Sequence, residues 1–190
     1  MDEPSPPTNR LWGALRHGLR WGEHLLAVIG AVLIAYHLCF ELSVMVSPSM
    51  SPTLQGTKRE NGDWVLTEKI TYWFREPRRW EVVRFNLDDY TPVMKRVVAL
   101  PKETITIKTN NITINGESVL RPDSITNLTY YSYGNLSSGR PVPCDWGYYV
   151  LGDDSRDSQD SRFEGAIKPD KIQGRVLLRV WPLNRFGWVR

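Results

Sequence analysis

Histidine is scarce in this 190-residue chain, and its three copies, His17, His24 and His37, all precede Phe40. Nothing beyond that point can supply an imidazole, so Ser-His and Cys-His nucleophile pairs and His-ligated zinc are excluded from the larger part of the chain. Cysteine is scarcer still. Cys39 lies inside an apolar run and Cys144 in a polar stretch, which makes neither a disulfide framework nor a Cys-rich metal site. No block of one charge sign occurs either. The formal net charge of +3 is the small difference between 24 basic and 21 acidic residues dispersed along the chain, so nucleic acid is not an expected partner. No internal repeat is visible, and nothing in the sequence specifies an oligomer. The length accommodates one ordinary domain plus an appendage.

What is present begins with an abrupt change of polarity. Residues 1–10 (MDEPSPPTNR) are polar and proline-rich, which predicts disorder, and residues 11–24 alternate Trp, Leu and Arg as an amphipathic approach to a membrane. Between Leu25 and Phe40 no residue is charged at neutral pH. Continuing to Val46 gives 22 residues interrupted only by His37 and Glu41, enough for one transmembrane helix over 25–46. A cleaved signal peptide, a lipoprotein signal and a buried core helix are the competing readings. Convincing small residues do not follow the apolar run, and Leu38 before Cys39 lacks the small neighbour of a lipoprotein site. Arg10, Arg16 and Arg20 precede the span, whereas no Lys or Arg occurs between Glu41 and Thr57. The positive-inside rule therefore predicts a cytoplasmic segment 1–24, the span, and an extracytoplasmic domain 47–190.

That domain reads as β structure. Runs rich in Val, Ile, Thr and Trp recur at 63–67, 81–85, 93–100, 104–108, 112–114, 148–151 and 176–180. Thr109-Asn110-Asn111 and Asn115-Gly116 are hairpin signals, so residues 103–120 predict a compact β-meander. Residues 121–147, dominated by Ser, Tyr, Gly, Asn and Pro, predict a surface excursion or binding loop. The N-x-S/T patterns at Asn111, Asn127 and Asn135 read as turn residues unless the host glycosylates exported proteins.

With histidine absent, a hydrolytic domain must activate its nucleophile by a lysine, an N-terminal amine, a carboxylate or a metal, and the expected membrane anchor sets the amine aside. Seven lysines follow the apolar run, and Lys95 is the one with apolar residues on both sides, in Pro92-Val93-Met94 and Val97-Val98-Ala99-Leu100. A half-buried ammonium loses hydration and titrates lower, which suits a neutral base; a lysine snorkelling from a strand edge is the bland alternative. Ser47-Pro48-Ser49-Met50-Ser51-Pro52 places two hydroxyls between an apolar stretch and a proline turn. Gly152 to Gly165 (GDDSRDSQDSRFEG) places Asp153, Ser155, Asp157, Ser161 and Glu164 at calcium-loop spacing, but Ser158 occupies the glycine position and Arg156 and Arg162 intrude, so no metal is expected.

Taken together, SPSMSP, MKRVVALP and GDDSRDSQDSRFEG resemble, in order, three motifs of the bacterial type I signal peptidases, membrane-anchored endopeptidases with a Ser/Lys dyad. The resemblance runs from the anchor to about Gly174. It implies a mainly β, signal-peptidase-like antiparallel sheet domain behind one N-terminal transmembrane helix, with no cofactor. It implies Ser49 as nucleophile and Lys95 as general base, with Ser47 and the N–H of Ser49 binding the oxyanion. Ser158 would orient the base, while Asp160 and Arg162 would hold the loop. The implied partners are signal peptides of secretory preproteins with an Ala-x-Ala junction, bound extended, and the lipid bilayer. Met45, Met50, Leu54 and Met94 stand where they could line the pockets for small side chains or could equally be core. The sequence departs from the family pattern at Lys102-Glu103 in place of Gly-Asp, at Asp154 in place of Asn, and at Glu164 in place of an aromatic. Trp12 and Trp21 suit the cytoplasmic interface, and Trp73 and Trp80 could rest on the outer leaflet or pack in a hairpin. A catalytically inactive, membrane-tethered peptide-binding domain is the alternative from another class. A mitochondrial inner-membrane peptidase is a further one, although the acidic Met1-Asp2-Glu3 start is unlike a transit peptide.

Overall fold

The computed structural model describes residues 8–87 and 91–190, without the side chains of residues 8–11 and 14. The disorder expected over residues 1–7 lies outside the described residues. The chain divides into two compact units, residues 1–39 and 40–190.

The first unit is one helix, α1 (Thr8–Cys39), which already includes residues 8–10 of the segment expected to be disordered. Its stretch Leu15–Cys39 is 25 residues long and apolar enough to cross a membrane. At about 1.5 Å per residue that stretch spans more than the ~30 Å of a bilayer core. Leu25, Leu26, Val28, Val32, Leu33 and Ile34 are all exposed on it.

The helix stops at Cys39, which corrects the expected span of 25–46. Residues Phe40–Val44 form strand β1 instead. Glu41 decides the matter: inside lipid its carboxylate would be unsolvated, whereas in the sheet it pairs with Arg84 at 2.6 Å and Lys69 at 3.4 Å.

The second unit continues with β2 (Trp64–Glu68), α2 (Thr71–Phe74), β3 (Val82–Asn86), β4 (Pro92–Ala99), β5 (Thr104–Lys108), β6 (Asn111–Ile114) and β7 (Glu117–Ser118). Then come β8 (Val142–Pro143), β9 (Tyr149–Leu151), α3 (Ser161–Glu164), β10 (Ile172–Trp181) and β11 (Gly187–Trp188). One sheet has the order β1-β2-β10-β3-β4-β9, with β11 also on β10; the other has the order β7-β6-β5-β8. Every strand pairing is antiparallel.

The predicted meander is β5-β6-β7. Lys108 pairs with Asn111 and Ile114 with Glu117, leaving the two-residue turns Thr109-Asn110 and Asn115-Gly116. All four turn residues have positive φ, the conformation that matches the twist of a tight hairpin. Lys102, where the resembled family has glycine, also takes a left-handed φ of 68°. The turn a glycine would make is thus retained, and the Glu103 carboxylate braces it by accepting from the Leu100 N–H at 2.6 Å.

The stretch 121–147 is not a free excursion. Ile125, Leu128, Tyr130, Leu136 and Cys144 are buried with Ile105, Ile107, Ile112 and Ile114 of the meander in one apolar cluster. Few residues in it are helical or extended, yet its apolar side chains recur often enough to cover the second sheet. A second cluster joins Met45, Met50, Leu54, Val65, Val82, Met94, Val176 and Val189 beneath the start of the chain's polar part.

Candidate active site

Ser49 lies in the short turn Pro48–Met50 that follows β1. Met50 and Leu54, both without exposed surface, pin that turn into the second cluster, so the serine is held from below by burial of its neighbours. Lys95 comes from β4, opposite Val83 of β3. Its Nζ lies 2.6 Å from Ser49 Oγ, and both residues are nearly buried, at 3% and 5% exposure. Burial pushes the Lys95 pKa down from 10.5 to about 8, against the opposing pull of the Asp160 and Asp153 carboxylates. Ser47 Oγ stands 3.1 Å from Ser49 Oγ, so two of the predicted groups converge on the oxygen of the third.

The loop after β9 is what encloses this pair. Gly152 has no room for a side chain, because a Cβ there would meet Ser158 Oγ at 2.2 Å and the Ser49 carbonyl oxygen at 2.5 Å. That close approach lets the N–H of Asp154 donate to the Ser49 carbonyl at 3.0 Å. Asp160 then organises the loop. Its carboxylate accepts from Arg162 Nε and Nη2 at 2.8 and 2.7 Å, from the Gly152 N–H at 2.9 Å and from the Ser158 hydroxyl at 2.7 Å. It also caps α3 by accepting from the Arg162 N–H. Arg162 Nη1 donates to the Ser155 carbonyl and hydroxyl, so the fork of the guanidinium spans the whole turn.

The structure therefore brings Ser47, Ser49 and Lys95 together and places Asp160 and Arg162 as a buried pair in the loop. Ser158 belongs to the same loop: its hydroxyl proton goes to Asp160, while Lys95 donates to Ser49. A carboxylate two residues away is a strong acceptor for that proton, and the hydroxyl oxygen keeps lone pairs with which to accept. Met45, Met50, Leu54 and Met94 share one core cluster, with only Met45 and Met94 keeping a sliver of surface, at 5% and 6%.

Sequence reading missed a second buried pair. Arg96 donates from Nε and Nη2 to the two oxygens of Asp153 at 2.8 and 2.6 Å, and both side chains are fully buried. The Tyr130 hydroxyl and the Thr53 hydroxyl also donate to Asp153, at 3.0 and 2.5 Å. This network ties the strand of the lysine, the turn of the serine and the covering loop into one unit. The available signal was the basic residue directly after Lys95 and the acid directly after Gly152. Three further oxygens of the calcium-like spacing are also engaged by protein: Ser155 with Arg162, Ser161 with the Val150 N–H, and Glu164 with Gln159. Trp80 and Trp73 differ in their packing. The Trp80 indole N–H donates to the Leu120 carbonyl and its ring packs on the meander core, whereas Trp73 is 61% exposed.

A buried Ser–Lys contact alone would not define a family, but comparison with known proteins does. The family described as signal peptidase, peptidase S26, matches residues 18–181. A probable signal peptidase I-2 of Synechocystis sp. is 32% identical over 193 residues, covering 96% of this chain and 79% of that protein. Signal peptidase I of Leptolyngbya laminosa is 35% identical over 156 residues, covering 77% of this chain and 71% of that protein. A crystal structure of a signal peptidase I from Enterococcus faecalis is 28% identical, with a TM-score of 0.43, and covers 54% of this chain and 97% of that one. The match extends from within α1 to the end of β10 and so includes the serine turn, the lysine strand and the glycine-anchored loop: the chain belongs to the signal peptidase S26 family.

Proposed function

We propose that this chain, by family a peptidase that removes signal peptides, works as a membrane-anchored serine endopeptidase with Ser49 as nucleophile and Lys95 as general base. The observation that carries the reading is the 2.6 Å contact between Lys95 Nζ and Ser49 Oγ inside a buried site. Neutral Lys95 takes the proton of Ser49 Oγ as that oxygen bonds to the carbonyl carbon before the cut. The negative charge that develops on the carbonyl oxygen meets the Ser47 hydroxyl and the Ser49 N–H, donors of a kind worth about 3 kcal/mol each. The resulting Lys95 ammonium gives its proton to the departing amide nitrogen. The C–N bond breaks and leaves an ester on Ser49. Water then attacks that ester, again giving its proton to Lys95, and the proton returns to Ser49 Oγ as the signal peptide leaves.

Two strand edges favour an extended peptide. β1 is the last strand of its sheet, and β9 pairs with Arg96, Val97 and Ala99 of β4 but not with Pro92–Lys95. A peptide between these edges gains main-chain hydrogen bonds and presents alternate side chains toward Met45 and Met94, which suits small residues in an Ala-x-Ala junction. The bilayer reading draws on α1 and on a cross-strand row, Leu42, Leu66, Leu178 and Trp188, paired in register and therefore on one sheet face. Its ends Leu42 and Trp188 are 42% and 63% exposed. Arginines before the span and their absence after it favour a cytoplasmic N-terminus.

The test is cleavage of a precursor with an Ala-x-Ala junction, in detergent or liposomes, by the wild type, Ser49→Ala and Lys95→Ala. Cleavage after the junction by the wild type alone, with both variants folded, supports the dyad. A wild type that binds the peptide without cutting it favours the tethered peptide-binding domain.

A further inference from the structure

The end of the first sheet where β1 begins holds a polar site that the proposed catalytic machinery does not use. An open pocket of about 410 Å³ is lined by Glu41 of β1, Lys69, Arg84 and Asn86 of β3, Pro92 of β4 and Gln173 of β10. Glu41 and Pro92 come from the two strand edges that favour an extended peptide. The pocket therefore sits where those edges end, and the dyad sits further along them.

Its interior chemistry is incomplete within the chain. Arg84 is only 7% exposed and spends Nη2 on Glu41, while its Nε–H has no partner. Gln173 Oε1 is likewise buried without a partner. Among the described residues, the other buried side-chain atoms without partners belong to Thr67 and Glu68, which pair with Val176 and Arg175 on β10, close to Gln173. A buried donor and a buried acceptor left open in one pocket cost free energy unless something supplies their complements. A carboxamide or hydroxyl does so, accepting from Arg84 and donating to Gln173. A lysine there meets Arg84 and Lys69, and an ionised carboxylate, which has no donor, leaves the Gln173 oxygen open.

Distance and direction identify the occupant. Pro92 lies three residues from Lys95, about 10 Å along a strand, so an extended peptide cut at Ser49 reaches the pocket with residues about four to six before the cut. Glu41 is the second residue after α1, within about 7 Å of its end. The apolar part of a membrane-inserted precursor lies before its cleavage site, so the upstream residues head toward this end.

We infer that the pocket of Arg84, Gln173 and Glu41 is an upstream substrate subsite, which selects a neutral polar side chain, of the Gln, Asn or Ser kind, between the precursor's apolar segment and its small-residue junction. The inference rests on the peptidase reading for its substrate but not for its test. Peptides with an Ala-x-Ala junction and Gln, Leu, Glu or Lys at each of the positions −4, −5 and −6 are measured in two ways. These are kcat/KM with the wild type and Kd with the full-length Ser49→Ala chain in detergent. At one of the three positions Gln is expected to exceed Leu and Lys by about tenfold in both, the size of one hydrogen bond to a charged group. Gln173→Leu and Arg84→Met are each expected to erase that preference while still binding the Leu peptide. Should Arg84→Met fail to fold, Gln173→Leu decides by itself, since it leaves the Arg84–Glu41 pair intact. Equal affinity for all side chains at all three positions overturns the subsite. So does a preference that survives Gln173→Leu, or a loss in that variant confined to binding phospholipid vesicles, which would make the pocket a headgroup site. A chain that binds with the Gln preference but does not cut contradicts the peptidase reading and leaves the subsite supported.

Discussion

Replacing Lys95 with methionine should stabilise the protein at neutral pH while abolishing cleavage. Lys95 is 3% exposed, and burial lowers its pKa from 10.5 to about 8. In the unfolded chain the lysine titrates near its ordinary value, so between about pH 8 and 10.5 the unfolded state holds more protons than the native state. Stability attributable to this group therefore rises with pH across that window. Below it the native state carries the full cost of a buried ammonium. At about 1.4 kcal/mol for each tenfold difference in acidity, that cost is about 3 kcal/mol at pH 7. Methionine has a similar length, fills the same space and carries no charge, so most of the penalty should be relieved. The assay is urea unfolding of the full chain in mild detergent, followed by tryptophan fluorescence, for wild type and Lys95→Met at about pH 7 and 10.5. The variant should be more stable by about 2–3 kcal/mol at the lower pH. The gap should close toward the higher pH. An equal gap at both values, or a variant less stable at pH 7, would refute the view that desolvation governs this lysine.

The same titration should shape activity: kcat/KM rises about tenfold per pH step and levels near pH 8, and a profile flat from about pH 5 to 10 contradicts a lysine base. At pH 7 roughly one wild-type molecule in ten carries neutral Lys95, against about one in three thousand for an unperturbed lysine. Gly152→Ala should cost about 1–3 kcal/mol of stability and on the order of a hundredfold in cleavage, because its methyl would force the loop away from the Ser49 carbonyl. Cleavage within twofold of wild type would show that the loop does not position the serine. Arg96→Met should destabilise by about 3–5 kcal/mol, since it strands the buried Asp153 carboxylate. Combining it with Asp153→Leu should recover much of the loss in an unfolding experiment, and no recovery would argue against their pairing.

Some of this was legible in the residues. The strands at 104–108 and 111–114 alternate strictly, and Thr109-Asn110 and Asn115-Gly116 are turn pairs whose chemistry is local. Their hairpins could be read directly, and both have the expected positive φ. The unusual surroundings of Lys95 were also visible, because flanking β-branched residues bury a strand whatever it packs against. Confusion arose where local polarity and tertiary pairing compete. Phe40–Val44 continues the hydropathy of α1, and only the availability of β2 as a partner and of Arg84 and Lys69 for Glu41 turns it into a strand. The stretch 121–147 looked unstructured because its order comes from side chains inserted under a sheet, with no periodicity of its own.

The sequence by itself determined the chemistry available: no imidazole beyond Phe40, a lysine in apolar company, hydroxyls on a proline turn, and one apolar run of membrane length. Tertiary structure alone decided which of these groups meet. Ser49 and Lys95 are 46 positions apart and become neighbours as Met50 and Met94, the residues beside them, are buried in one apolar cluster. Asp153 meets Arg96, 57 positions away, and the Ser158 hydroxyl donates to Asp160. The physical reason is range: backbone preference and hydropathy act over a few residues. Hydrogen bonds and desolvation act between groups only after folding has removed the water between them.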